Sequence, residues 1–198
     1  MQIESIEYLT QKELKKLFQV IGKRSEEKYP YGLRDLTIFN IAYYCGLRVS
    51  EIGMLTRGNF NEQRDELFCR RLKGSRSNTL RLTPDKSRLL KKYIREYSII
   101  NGEQSLFKSR KGNPISKRQL QDLMAFYGKQ AKLPEHKQHI HVLKHSIAVH
   151  LAQSGMDIKE VQYWLGHKNV ENTMVYFQFT ADQADTMYRK LQSNSKLV

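Results

Sequence analysis

Two cysteines in 198 residues, Cys45 and Cys69, with no CxxC spacing, are too few for a disulfide framework or a zinc ribbon. They read as reduced thiols, and a cytoplasmic protein is expected. No run of about 18 apolar residues occurs, so no membrane-spanning helix is expected, and the opening MQIESIEYLTQKEL lacks the apolar core of a secretory signal. There is no internal repeat, no low-complexity tract and no HExxH pattern. Acidic residues are the scarce charge: 20 Asp and Glu stand against 34 Lys and Arg, a formal excess of +14. Such an excess suits a polyanionic partner, above all nucleic acid. The basic residues are scattered rather than collected in a tail, which places the charge on a folded surface.

What the chain does contain is mostly helical periodicity. Thr10 followed by Glu13 makes a capping box, and Leu14, Leu17, Phe18 and Ile21 continue a helix over 10–21 that Gly22 is expected to end. A second helix spans 33–45, stopped by Gly46, and a short one 49–55. Between Glu66 and Thr83 the pattern switches to two alternating runs around KGSRSN, which predicts a β-hairpin with a basic turn. Pro84 is a plausible first helical residue for a stripe of Leu89, Leu90, Tyr93, Ile94 and Tyr97. Helices follow over 116–130, 141–153, 157–165 and 170–177, with a last one from about 181. The fold class is therefore mainly α with one small antiparallel sheet (α+β).

Four segments carry polar residues that periodicity does not explain. In CGLRVSEIGML, Arg48 precedes a new helix, where its fork of donors adds to free backbone amides to hold a phosphate. A surface ion pair with Glu51 at i+3 is the plainer alternative. In RRLKGSRSN, Lys73 stands at a hairpin tip from which an ammonium reaches a nucleic-acid groove or protonates a leaving oxygen; a solvated turn is the alternative. In HVLKHSIAVHLAQSG, His141 and His145 lie one helical turn apart with Lys144 between them. A shared metal would need a third ligand that the neighbouring sequence does not offer, so none is expected. His145, beside Leu143 and Ile147, reads as a core histidine, and His150 as a surface one. In VQYWLGHKNVENTMVYF, Tyr176 follows His167 by nine residues; either could be structural.

The combination says more than any member. Arg48, Lys73, His141, Lys144, His167 and Tyr176 together supply cations for two non-bridging oxygens, donors for a pentacoordinate state, a proton source and a hydroxyl nucleophile. No Mg²⁺-holding carboxylate cluster accompanies them, so charge neutralisation falls to Arg, Lys and His.

With these segments in this order the chain strongly resembles the tyrosine recombinase (phage integrase) family: GLRVSE, the hairpin lysine, HVLKH, LGH and the tyrosine nine residues on. The resemblance runs from YLTQKELKKLF over nearly the whole chain. It implies that Tyr176 attacks the scissile phosphate to give a 3′-phosphotyrosyl link and a free 5′-hydroxyl. Arg48 and Lys144 would clamp the phosphate, His141 and His167 donate to it or relay protons, Lys73 protonate the departing oxygen, Glu51 hold Arg48, and His145 support the motif. Arg71, Arg76, Lys117 and Arg118 are the expected DNA contacts. The implied enzyme integrates, excises or inverts DNA as a tetramer on double-stranded recombination sites, without cofactor or metal, in the cytoplasm at the nucleoid. Related alternatives are a type IB topoisomerase-like relaxing enzyme and a DNA-binding regulator with weakened catalysis. Two departures stand out. Lys144 occupies a position where the family usually has Arg, exchanging two parallel donors for a point charge. Residues 1–198 read as the catalytic domain alone, without the N-terminal core-binding domain, which implies either a naturally short member or a catalytic fragment of a longer integrase, and 181–198 as a helix or tail docking on a neighbouring protomer.

Overall fold

The computed structural model describes residues 6–27, 29–72 and 74–178. Lys73 and the expected C-terminal helix lie outside the described residues. Eight α-helices are described, α1 (Gln11–Glu26), α2 (Gly32–Tyr44), α3 (Val49–Gly53), α4 (Pro84–Glu96), α5 (Lys117–Gln130), α6 (His141–Gln153), α7 (Ile158–Leu165) and α8 (Glu171–Phe177). With them is one antiparallel sheet in the order β1 (Phe60–Asn61), β2 (Glu66–Cys69), β3 (Asn78–Arg81). Among the described residues no helix is long and apolar enough to cross a membrane.

Local chemistry explains most boundaries. The Thr10 hydroxyl accepts from the Glu13 amide while Glu13 accepts from the Thr10 amide, which satisfies two otherwise orphan donors of α1. Asp157 accepts from the amides of Lys159 and Glu160 at the start of α7, and Gly166 closes that helix at φ +68°. Pro84 is the first residue of α4.

Helix α1 runs past Gly22 to Glu26, contrary to the expected stop. One interior glycine costs about 1 kcal/mol, and the extra turn carries Arg24 onto the rings of Tyr29 and Phe126. Two further features escaped the sequence. Strand β1 is only two residues long, and its place is set by pairing with β2 (Phe60 opposite Leu67). The segment 98–115 is ordered by long-range backbone bonds, Leu106 N to Leu55 O and Gly58 N to Gly102 O among them.

Helices α2 and α6 are buried on almost every face and form the centre, Ile38, Phe39, Ile41 and Ala42 from the first and Val142, Leu143, Ala148 and Val149 from the second. Helices α1, α4 and α5 turn only their apolar stripes to the core. A smaller cluster joins Ile147, Ala148 and Val149 to Val161, Leu165 and Tyr176, so α6, α7 and α8 share their own packing. His150 faces this interior and not solvent: it is buried, with Nδ1 2.8 Å from the Tyr43 hydroxyl, which corrects its expected surface position.

The α1–α2 corner leaves no room for a side chain at Gly32, where a Cβ would lie 2.6 Å from Arg24 O, whereas one at Gly22 would meet nothing within 4 Å. Gly32→Ala is expected to lower stability by about 2 kcal/mol by overpacking, and Gly22→Ala to raise it by about 1 kcal/mol by helix propensity. Denaturant titration of both variants checks the pair; effects of the same sign would contradict this packing.

Candidate active site

The site begins where α2 ends. Gly46 adopts φ +57°, and a Cβ there would lie 2.7 Å from Leu165 Cδ2, so the chain turns tightly against α7 and delivers Arg48 to the head of α3. Arg48 Nη1 donates to Glu51 Oε1 (2.9 Å) and Ser75 Oγ (3.0 Å), and more weakly to Leu72 O (3.4 Å). Its Nε and Nη2 have no partner among the described residues, and 30% of the side chain stays exposed. The ion pair expected of a surface arginine is thus present, yet it occupies only one corner of the fork.

Glu51 is fully buried and accepts from four donors: the Arg48 amide, Arg48 Nη1, Arg71 Nη1 and the Leu72 amide. Burial alone would raise its carboxyl. The amides of Arg48 and Leu72 and the two guanidinium groups outweigh that and hold it below its ordinary value.

Arg71 corrects an expectation. Read as a DNA-facing turn residue, it is wholly enclosed, its side chain 0% exposed. Nε donates to Asn78 Oδ1, Nη1 to Gly46 O and Glu51 Oε2, and Nη2 to Cys45 O and Trp164 O, at 2.8–3.2 Å. Asn78 Nδ2 adds bonds to Tyr163 O and Trp164 O. Beyond the turn, Arg76 N donates to Gly166 O, and Ser75 bridges to His167. The hairpin is therefore laid against the end of α7. Of the other expected DNA contacts, Arg76, Lys117 and Arg118 are exposed.

Helix α6 contributes three residues in different settings. His141, its first residue, is exposed, with a basicity lowered by partial burial and the nearby charges of Lys144 and Arg48. Lys144 is 5% exposed, and its Nζ has no hydrogen-bond partner among the described residues. Burial, with Arg48 and Arg71 adding, pushes its ammonium down to about 7. His145 turns Nδ1 to the Tyr176 hydroxyl at 3.2 Å, a pairing that periodicity does not show. Tyr176 lies between two imidazoles, stacked on His167 with ring centroids 6.2 Å apart and tilted against His145 at 5.9 Å. Burial pushes its hydroxyl up to about 12.

His167 is buried and pairs through Nδ1 with Thr173 Oγ1 at 3.0 Å. Burial, with Lys144 and Arg48 adding, pushes it down to about 3, and burial likewise takes His145 to about 4. Both imidazoles are neutral near neutral pH, each with one ring nitrogen able to accept. Thr173 and Ser75 were missed as site residues. Thr173 sits three residues before Tyr176, hence on the same face of α8, which is the one local signal available.

The structure thus gathers Arg48, Glu51, Lys144, His145, His167 and Tyr176, with His141 at the rim. Three cations, Arg48, Arg71 and Lys144, surround one carboxylate, and Lys144 is left over. Among the described residues no three His, Cys, Asp or Glu form a metal site. An anion beside the Tyr176 hydroxyl fits this arrangement.

The profile of the phage integrase family matches residues 7–183. The tyrosine recombinase XerC of Histophilus somni (strain 2336) is 30% identical over 173 residues, 87% of this chain and 58% of that protein. The chain therefore spans less than two thirds of that relative. In fold, a crystal structure of XerA recombinase matches with a TM-score of 0.76 at 23% identity, covering 94% of this chain and 64% of that one. A post-cleavage complex of the XerH site-specific recombinase bound to a palindromic difH substrate matches with a TM-score of 0.74 at 23% identity, covering 92% and 53%.

Lys144 gives a pH signature. Its folded value of about 7 lies below the ordinary 10.5, so between these values the unfolded chain binds the extra proton and folding gains stability as pH rises. That gain is complete above about pH 10.5 and is lost as pH falls through about 7. Relative to Lys144→Met, the parent is expected to become more stable from pH 7 to pH 9 in urea titrations without DNA. A difference independent of pH would show that the ammonium is not desolvated.

Proposed function

The chain belongs to the phage integrase family, and on that footing we propose that it is the catalytic domain of a site-specific DNA recombinase, cutting and rejoining strands through a tyrosyl–DNA intermediate. The observation that carries this is the buried Lys144 ammonium, without a hydrogen-bond partner among the described residues and within the field of Arg48, which acts on the Tyr176 hydroxyl as well. A desolvated cation without a partner is costly, and a phosphate oxygen relieves it.

In the proposed step the scissile phosphate enters with one non-bridging oxygen toward the open edge of Arg48 and another toward Lys144. Tyr176 Oη attacks phosphorus; the Oη–P bond forms as the P–O5′ bond breaks. The tyrosyl proton passes to a neutral imidazole, for which His145 Nδ1 is in place at 3.2 Å. The departing 5′ oxygen takes a proton from Lys73, whose neighbours Leu72 and Ser75 are bonded to Glu51 and Arg48. One phosphodiester is exchanged for another, so rejoining to a different 5′-hydroxyl needs no nucleotide. His141 and His167 donate to the phosphate from the rim and the floor. Arg76, Lys117 and Arg118 contact the flanking backbone, where each neutralised phosphate adds to salt-dependent affinity. Double-stranded recombination sites are the substrate, a tetramer on two duplexes is the working assembly, and the nucleoid is the working location.

Nicked suicide duplexes drawn from the DNA flanking its gene test the reading, because loss of the short 5′-hydroxyl fragment traps the covalent adduct. The parent is expected to accumulate adduct and Tyr176→Phe none. Lys144→Arg is expected to cleave at least as fast as the parent, and Lys144→Ala at least about 100-fold more slowly, the scale of losing one charged donor to a transition state. Binding without adduct would favour a regulator, and relaxation of arbitrary supercoiled plasmid would favour a topoisomerase. If the Arg and Ala variants both cleave like the parent, residue 144 does not touch the phosphate.

A further inference from the structure

Three pieces of the site come from distant parts of the chain: the corner 45–48 that carries Arg48, the hairpin arm 71–78 that carries Lys73, and the turn 164–167 that carries His167. A single buried group, the Arg71 guanidinium, bonds to all three. We propose that Arg71 is a positioning residue for strand cleavage, a planar spacer that sets how far apart these three segments stand; the inference rests on the recombinase reading.

Neutralising Glu51 does not account for Arg71. Glu51 already accepts from Arg48 Nη1 and two backbone amides, and only one of the five Arg71 bonds goes to it. The other four go to neutral acceptors, Asn78 Oδ1 and the carbonyls of Cys45, Gly46 and Trp164. Cys45 and Gly46 follow the end of α2, and Trp164 lies in the last turn of α7, so these carbonyls lack helical donors and carry the negative ends of two helix dipoles. Five N–H groups in one plane meet five acceptors with none to spare. Lysine, with three donors on a flexible stem, keeps the charge and cannot span the set. The side chain is also shut off from solvent, so it does not reach DNA itself. Asn78 extends the clasp through its two bonds to the α7 carbonyls.

Arg71→Lys therefore separates charge from geometry. It is measured beside the parent for affinity to site DNA and for single-turnover adduct formation on two nicked duplexes. One carries the ordinary scissile phosphate; the other has sulfur in place of the bridging 5′ oxygen, whose thiolate leaves without needing a proton. Arg71→Lys is expected to bind within about threefold of the parent and to cleave the ordinary duplex about 100-fold more slowly, the scale of a displacement near 1 Å. The deficit should be smaller on the sulfur duplex, because part of it is misplacement of the hairpin lysine.

Cleavage within about threefold of the parent would overturn the proposal. So would an equal deficit on both duplexes, or a fall in cleavage that only follows a fall in binding. Should Arg71→Lys not fold, Asn78→Ala decides: it leaves four Arg71 bonds intact and is expected to slow cleavage about tenfold at parental affinity, with parental cleavage overturning the proposal. A parent that forms no adduct on either duplex fails the recombinase reading itself and takes this inference with it.

Discussion

A carboxylate sealed from water between two guanidinium groups organises the middle of this protein. Glu51 would not stay ionised in that position without compensation, and it receives four hydrogen bonds from three residues, two of them from guanidinium groups. Each donor belongs to a segment that must then stay put. The Arg48 amide fixes the start of α3, the Leu72 amide fixes the arm leading to the hairpin tip, and Arg71 carries the constraint on to the ends of α2 and α7. Because Arg48, Arg71 and Lys144 outnumber the single carboxylate, satisfying Glu51 still leaves the pocket positive. Structural necessity and affinity for an anion thus come from the same group of charges.

The protonation states follow from that surplus. With no anion present, burial and the surrounding cations keep His145 and His167 neutral, and burial keeps the Tyr176 hydroxyl protonated against the opposing pull of Arg48. A phosphate in the pocket, as proposed, would offset part of that surplus: it would favour the charged form of Lys144 and make the imidazoles more willing to take a proton. On the proposed reading, the substrate's own charge brings Lys144 and the imidazoles toward the states the reaction would use, and the resting pocket need not hold an ionised tyrosine.

What could be read from the sequence divides by the range of the forces involved. The capped helices, α1 and α7 above all, declare themselves through Thr10, Glu13, Asp157 and Gly166, whose bonds close within a few residues. Strand β1 does not, because two residues are too few to show alternation, and the segment 98–115 does not, because its partners at 55 and 58 lie tens of residues away. The site residues were legible as an ordered set of types; their mutual placement was not. Nothing local shows that His145 faces Tyr176 or that Thr173 holds His167. Arg71 and His150 were misread for one reason. A charged or titratable residue is usually solvated, and only the assembled chain shows acceptors for Arg71 at positions 45, 46, 51, 78 and 164, or the Tyr43 hydroxyl for His150.

Gly166 has a consequence of another kind. Its backbone is left-handed, and a Cβ there would lie 2.5 Å from Arg76 O and 2.9 Å from Arg71 Cγ. The glycine of LGH is therefore dictated as much by the shape of a side chain 95 positions earlier as by the turn it makes. Neither residue can drift alone: a smaller side chain at 71 would open a void under the turn, and anything larger at 166 would evict the arginine. Part of what reads as a local motif is thus the imprint of a contact between remote parts of the polypeptide.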